Sequence, residues 1–78
     1  MPKVHQEDGC DVYIFLNEHP PPHVHVYVGD GMISFWLEPV SVKEVRGKVK
    51  ANERRKARRV VENNRERLLL AWAEIHGE

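Results

Sequence analysis

Cysteine is almost absent from this chain. Cys10 is the only one among 78 residues, so no internal disulfide can form, and the sequence reads as one suited to a reducing compartment. Long apolar runs are missing too. Nothing approaches the roughly 18 to 20 residues of a membrane-spanning helix, and no charged-then-apolar secretion leader is visible. The expectation is a cytoplasmic protein without membrane contact. No internal repeat or low-complexity tract appears, which leaves one domain over residues 1–78. A chain this short builds a single small core, with a stability margin thin enough that a partner or a homo-oligomer can be needed to complete it.

Net charge is also lacking, since 12 Lys and Arg balance 12 Asp and Glu. The balance conceals a separation. Over residues 1–42 one lysine faces six acids, a net of −5; over residues 43–67 eleven Lys and Arg face four acids, a net of +7; residues 68–78 add −2. Such a dipole bears on charged partners and on head-to-tail self-association, not on fold.

What the chain does contain is two grammars in succession. Residues 11–17 alternate Val12, Ile14 and Leu16 against Tyr13 and Phe15, a strand pattern. Residues 23–28 predict a second strand, Gly29-Asp30-Gly31 a short loop, and residues 32–37 a third strand, joined to the second as a hairpin. After Glu38-Pro39, the residues Val40, Val42, Val45 and Val49 with Gly47 predict a fourth, less regular strand or two short extended pieces. From about residue 53 to 76 the period becomes helical: Asn52 is the expected N-cap, Ala57, Val60, Val61, Asn64, Leu68, Trp72 and Ile75 form one stripe, and Gly77 ends it. Asn63-Asn64 is the point where this long helix can break. The predicted architecture is therefore α+β. A three- or four-stranded antiparallel sheet over about residues 11–50 is covered on one face by the C-terminal helix.

Chemistry concentrates in Glu18-His19-Pro20-Pro21-Pro22-His23-Val24-His25, which holds three of the five histidines. Three prolines remove three backbone donors and impose a polyproline-like elbow. In the strand that follows, His23, His25 and Tyr27 share one face and Val24, Val26 and Val28 the other. Two readings compete. In the first, one imidazole donates to the elbow carbonyls and the other packs beside Tyr27, so the cluster is structural and no cofactor is needed. In the second, His19, His23 and His25 bind zinc, with Glu18 or Asp30 completing the site, or work as acid and base on an RNA 2′-OH, which would make the protein a hydrolase or ribonuclease.

The second concentration is Arg54-Arg55-Lys56-Ala57-Arg58-Arg59. On a helix, Arg54 with Arg58 and Arg55 with Arg59 are like-charged neighbours costing about 0.2–0.5 kcal/mol each, which an acidic partner or a phosphate backbone relieves. Within the chain, Glu62 can meet Arg58 or Arg59, and the acidic N-terminal half offers a further sink. Trp36 and Trp72 are expected in the core. Tyr13 and Tyr27 form a stacking platform only if the other face of the sheet is bare. Cys10 is expected to be a buried, unreactive thiol.

The residues Glu18, His19, Pro21, Pro22, His23 and His25, with the tail Leu68-Leu69-Leu70-Ala71-Trp72, resemble the bacterial family called domain of unknown function 4160. Its pattern is an acidic or amide residue, His, any residue, Pro-Pro, His, an aromatic, then His. Val24 stands at the aromatic position, and Val60 and Asn64 stand where the family commonly has Trp and His. The resemblance covers about residues 11–75. It implies a small cytosolic protein of the kind often encoded beside another short protein, in an arrangement similar to toxin–antitoxin pairs, and hence a partner protein. No catalytic residue is implied. The leading expectation is a binding module that meets a partner protein, or nucleic acid, through Arg54, Arg55, Lys56, Arg58 and Arg59.

Overall fold

The computed structural model describes residues 3–77, so residues 1, 2 and 78 of the expected domain lie outside the described residues. The described residues form an antiparallel five-stranded sheet in sequential order, β1 (Lys3–Glu7), β2 (Cys10–Tyr13), β3 (His23–Val28), β4 (Asp30–Leu37) and β5 (Val40–Lys48), followed by α1 (Ala51–Asn63) and α2 (Arg65–His76). The α+β class and the order of strands before helices are as expected. The strand count and the single helix are corrected.

The additional strand is β1, which precedes the predicted start of the sheet at residue 11. Its sequence, KVHQE, is a half-exposed edge with little apolar alternation, so periodicity does not reveal it. The turn does. Asp8 and Gly9 adopt φ of 56° and 78°, and two successive left-handed residues are what a tight two-residue hairpin requires, with Asp-Gly a favoured pair. β2 in turn ends at Tyr13 and not near residue 17. The chain then leaves the sheet, carrying Ile14 into the core while Leu16 is 67% exposed.

β3 and β4 pair as the predicted hairpin, with His25 opposite Ser34 and His23 opposite Trp36. β5 is one strand of nine residues and not two pieces. Its irregularity is a register shift: Ser34 pairs Glu44 while Phe35 pairs Val42, leaving Lys43 as the extra residue. That is a bulge, and it obscures the alternation in the sequence.

The expected helix divides at the predicted weak point. Asn64 has φ −117° and ψ 17°, and its Nδ2 donates to the Val60 carbonyl at 2.7 Å and to Glu7 Oε1 at 3.0 Å. A side chain that bonds back to the preceding turn competes with continuation of the helix. The N-cap is Lys50 and not Asn52, and the Lys50 N–H donates to Glu53 Oε1 at 2.9 Å. Gly77, with φ 72°, ends α2 as expected.

One core lies between the sheet and the helices. Val12, Val24, Val26, Ile33, Phe35 and Leu37 from the strands meet Ala57, Val60 and Val61 of α1 and Leu68 and Trp72 of α2. Each large apolar side chain buried there contributes about 1.5–3 kcal/mol. Trp36 corrects the expectation that both tryptophans are core: alternation along β4 sends Phe35 and Leu37 inward and Trp36 to the other face, where it is half-buried under Lys43 Nζ, 5.4 Å from the ring centroid. The sheet face opposite the core is thus left uncovered by helices, and the proline-histidine elbow lies along it.

Candidate functional site

The elbow is built around its missing donors. The Pro20–Pro21 bond is cis, so the segment is a corner and departs from a polyproline II run. The two carbonyls beside it are both satisfied: Leu37 N–H donates to Pro22 O at 3.1 Å, and His23 Nδ1–H donates to Pro21 O at 2.9 Å. His23 is 4% exposed, its ring centroid 5.1 Å from Trp72 and 5.5 Å from Trp36. One histidine therefore holds the corner, as expected. The other, His25, lies on the same strand face as Tyr27, with its ring 4.8 Å from that of Phe15, where the chain crosses back over the face.

Both imidazoles turn their Nε2 atoms to one carboxylate oxygen. Glu18 Oε2 lies 2.6 Å from His25 Nε2 and 3.0 Å from His23 Nε2. The far nitrogen of each ring is also held. Pro21 O fixes Nδ1 of His23, and Ser34 Oγ lies 3.0 Å from Nδ1 of His25 while donating to Met32 Sδ at 3.3 Å. Because that hydroxyl proton goes to sulfur, the oxygen is free to accept from His25 Nδ1–H. Burial raises the Glu18 carboxyl, but hydrogen bonds from His25 and His23 together with their charge outweigh it, and the group sits below its ordinary range. Glu18 Oε1 further accepts from Phe15 N–H at 3.4 Å.

Glu18, His23 and His25 each present one ligand atom, all within 4.8 Å of one another, the one such group of three among the described residues. His19, the third histidine of the sequence motif, is exposed and outside it. Asp30 is also exposed, at the start of β4. The carboxylate that joins the pair is therefore Glu18, brought back over the strand by residues 14–22.

Beside this cluster the uncovered face carries an aromatic row. Tyr13 lies 5.9 Å from Phe15 and 5.4 Å from Tyr27, centroid to centroid, and a shallow groove of about 320 Å³ is lined by Asp11, Tyr13, Phe15 and Tyr27. Tyr13 and Tyr27 thus stand edge to face on a side of the sheet that the two described helices leave open but that the segment carrying Phe15 partly covers.

The basic run divides into internal and external members. Arg58 bonds Glu62 at 3.3 Å and the Val40 carbonyl at 3.0 Å. Arg59 meets Asp8 at 3.6 Å. Further along, Arg65 donates to the Leu37 carbonyl at 2.8 Å and pairs Glu38 at 3.3 Å, a use not anticipated from sequence. Lys56 is half-buried near Cys10, whose thiol burial pushes up. Arg54 and Arg55 are exposed, with no acidic side chain paired to either among the described residues.

A family model described as Domain of unknown function (DUF4160) matches residues 9–73, and the chain belongs to that family. No curated protein and no solved structure matches it. Among the described residues, no helix is long and apolar enough to cross a membrane.

Proposed function

We propose, for this member of the DUF4160 family, the role of a small cytoplasmic binding module, one half of a toxin–antitoxin-like pair, that docks an acidic partner protein on the outer face of α1. The observation that supports it is the division within the basic run. Arg58 and Arg59 are engaged by Glu62, Val40 and Asp8, whereas Arg54 and Arg55 stand exposed one turn earlier with no acid paired to them among the described residues. Each repels its neighbour four residues on, and an acidic surface removes that cost while forming charge-assisted pairs. The hydrolase reading has weaker support: the groove on the uncovered face is lined by Asp11, Tyr13, Phe15 and Tyr27, with no histidine in its wall to act on a bound substrate.

The test is titration of the chain against the product of a short gene adjoining its own, where there is one, or otherwise against an acidic polypeptide such as polyglutamate, with an RNA homopolymer as competitor. Binding that weakens by about tenfold in an Arg54→Ala, Arg55→Ala double variant, and that RNA does not displace, supports the proposal. Capture of RNA in place of the protein, with affinity falling steeply in salt, transfers the surface to nucleic acid. Unaltered binding by the double variant overturns the assignment of this face.

A further inference from the structure

We propose that Glu18, His23 and His25 form a binding site for one divalent ion of the zinc class, closing the elbow onto the sheet. The inference is independent of the docking face on α1. It rests on convergence: Nε2 of both rings lies against the same carboxylate oxygen, Glu18 Oε2, and one ligand atom from each of the three residues falls within 4.8 Å of the others. Two imidazoles and a carboxylate are a donor set that zinc accepts, with water completing four-coordination.

The Nδ1 side of each ring is already arranged for ligation, so loss of the Nε2 proton now held against Glu18 leaves the ligating tautomer. A ring that ligates through Nε2 keeps its remaining proton on Nδ1, where an acceptor must hold it. Pro21 O, which can only accept, lies 2.9 Å from Nδ1 of His23. Ser34 Oγ, its own proton directed to Met32 Sδ, lies 3.0 Å from Nδ1 of His25. Both outer partners are therefore in place without the ion. On binding, the Nε2 lone pairs go to the metal and any proton they carried leaves to solvent, while the carboxylate exchanges two hydrogen bonds for one metal bond.

Four ligands at about 2.0–2.1 Å in a tetrahedron stand about 3.3 Å apart. Glu18 Oε2 now lies 2.6 Å and 3.0 Å from the two Nε2 atoms and the three ligand atoms span up to 4.8 Å, so binding one ion takes a small adjustment of the carboxylate and of the rings. Glu18 lies on the connection between β2 and β3, outside the sheet ladder, and its side chain is 19% exposed, so it can move and water can reach the open position. His23 and His25 are 6% and 12% exposed and extend from β3, so the ring shift that binding needs is a small one about the side-chain torsions.

The experiment is titration of the full chain with zinc chloride at neutral pH, read by calorimetry, by thermal unfolding and by the ring ¹⁵N resonances of all the histidines. Expected are one bound equivalent, a raised melting temperature, and coordination shifts at Nε2 of His23 and His25. Glu18→Gln should weaken binding by about 10- to 100-fold, and His19→Ala should leave it unchanged. Absence of a bound equivalent overturns the proposal. So do shifts confined to His5, His19 or His76, or a His19→Ala loss equal to that of Glu18→Gln. Should Glu18→Gln fail to fold, the wild-type ring shifts decide the question without it.

Discussion

The carboxylate of Glu18 and the imidazole of His25 are 2.6 Å apart though they stand seven positions apart in the chain. Between them runs the proline elbow, whose carbonyl at Pro21 holds the second histidine of the pair. The elbow and the start of β3 are thereby tied at both ends, and the tie depends on ionisation.

Because Glu18 lies below its ordinary value of 4.5 in the folded chain, its ionised form is favoured by folding. The corresponding stability is present above the ordinary carboxylate range and is lost as pH falls through the lowered folded value. Denaturant unfolding followed from neutral pH into the acid range should show wild-type stability falling steeply there, and Glu18→Gln, which has no proton to gain, should fall less. Parallel curves for the two proteins would remove Glu18 from the acid transition.

The tryptophans should differ sharply. Trp72 is 1% exposed within the core between sheet and helices, whereas Trp36 lies half-buried on the uncovered face. Trp72→Ala should cost about 3–5 kcal/mol, enough to unfold a domain of this size, and Trp36→Ala distinctly less. Thermal melts of both variants measure this, and equal losses would contradict the placement of Trp36.

Gly9 isolates backbone strain from packing. A methyl group there would meet nothing within 4 Å, but φ is +78°. Gly9→Ala should therefore destabilise by about 1–2 kcal/mol through conformation alone, and Gly9→Asn by less, since Asn tolerates the left-handed region. Chemical denaturation of the two variants gives the difference, and an unchanged midpoint for Gly9→Ala would mean that the β1–β2 turn is not held as described.

Cys10 should resist modification. It is fully buried, and burial raises its thiol above the ordinary value, with Lys56 opposing only in part. At neutral pH a disulfide reagent should react with it at the rate of unfolding, and rapidly once denaturant is added. Rapid reaction of the native protein would show that β2 opens locally.

Much of the scaffold was legible before any coordinates. Alternation over residues 23–28 and 32–37 identifies a hairpin with Val24, Val26, Ile33 and Phe35 on the core side, because side chains in extended backbone must alternate. The break at Asn64 and the stop at Gly77 follow from what those residues do to backbone conformation. β1 was missed because an exposed edge needs no apolar period, although Asp8-Gly9 carried its turn signal. Trp36 was misplaced because its size was weighed above its parity along β4.

By itself, the sequence determined the class of the fold, the faces of the central strands, and the need of the proline elbow for donors from outside the three prolines, since each follows from local backbone geometry and the count of donors. Only the tertiary structure decided that Glu18 and not His19 meets His23 and His25, that Ser34 backs one ring, and that Arg58, Arg59 and Arg65 pair with groups of the chain itself while, among the described residues, Arg54 and Arg55 meet no acid. Those outcomes depend on the path of residues 14–22 and on how the helices lie against the sheet, which bring together groups that no periodicity relates.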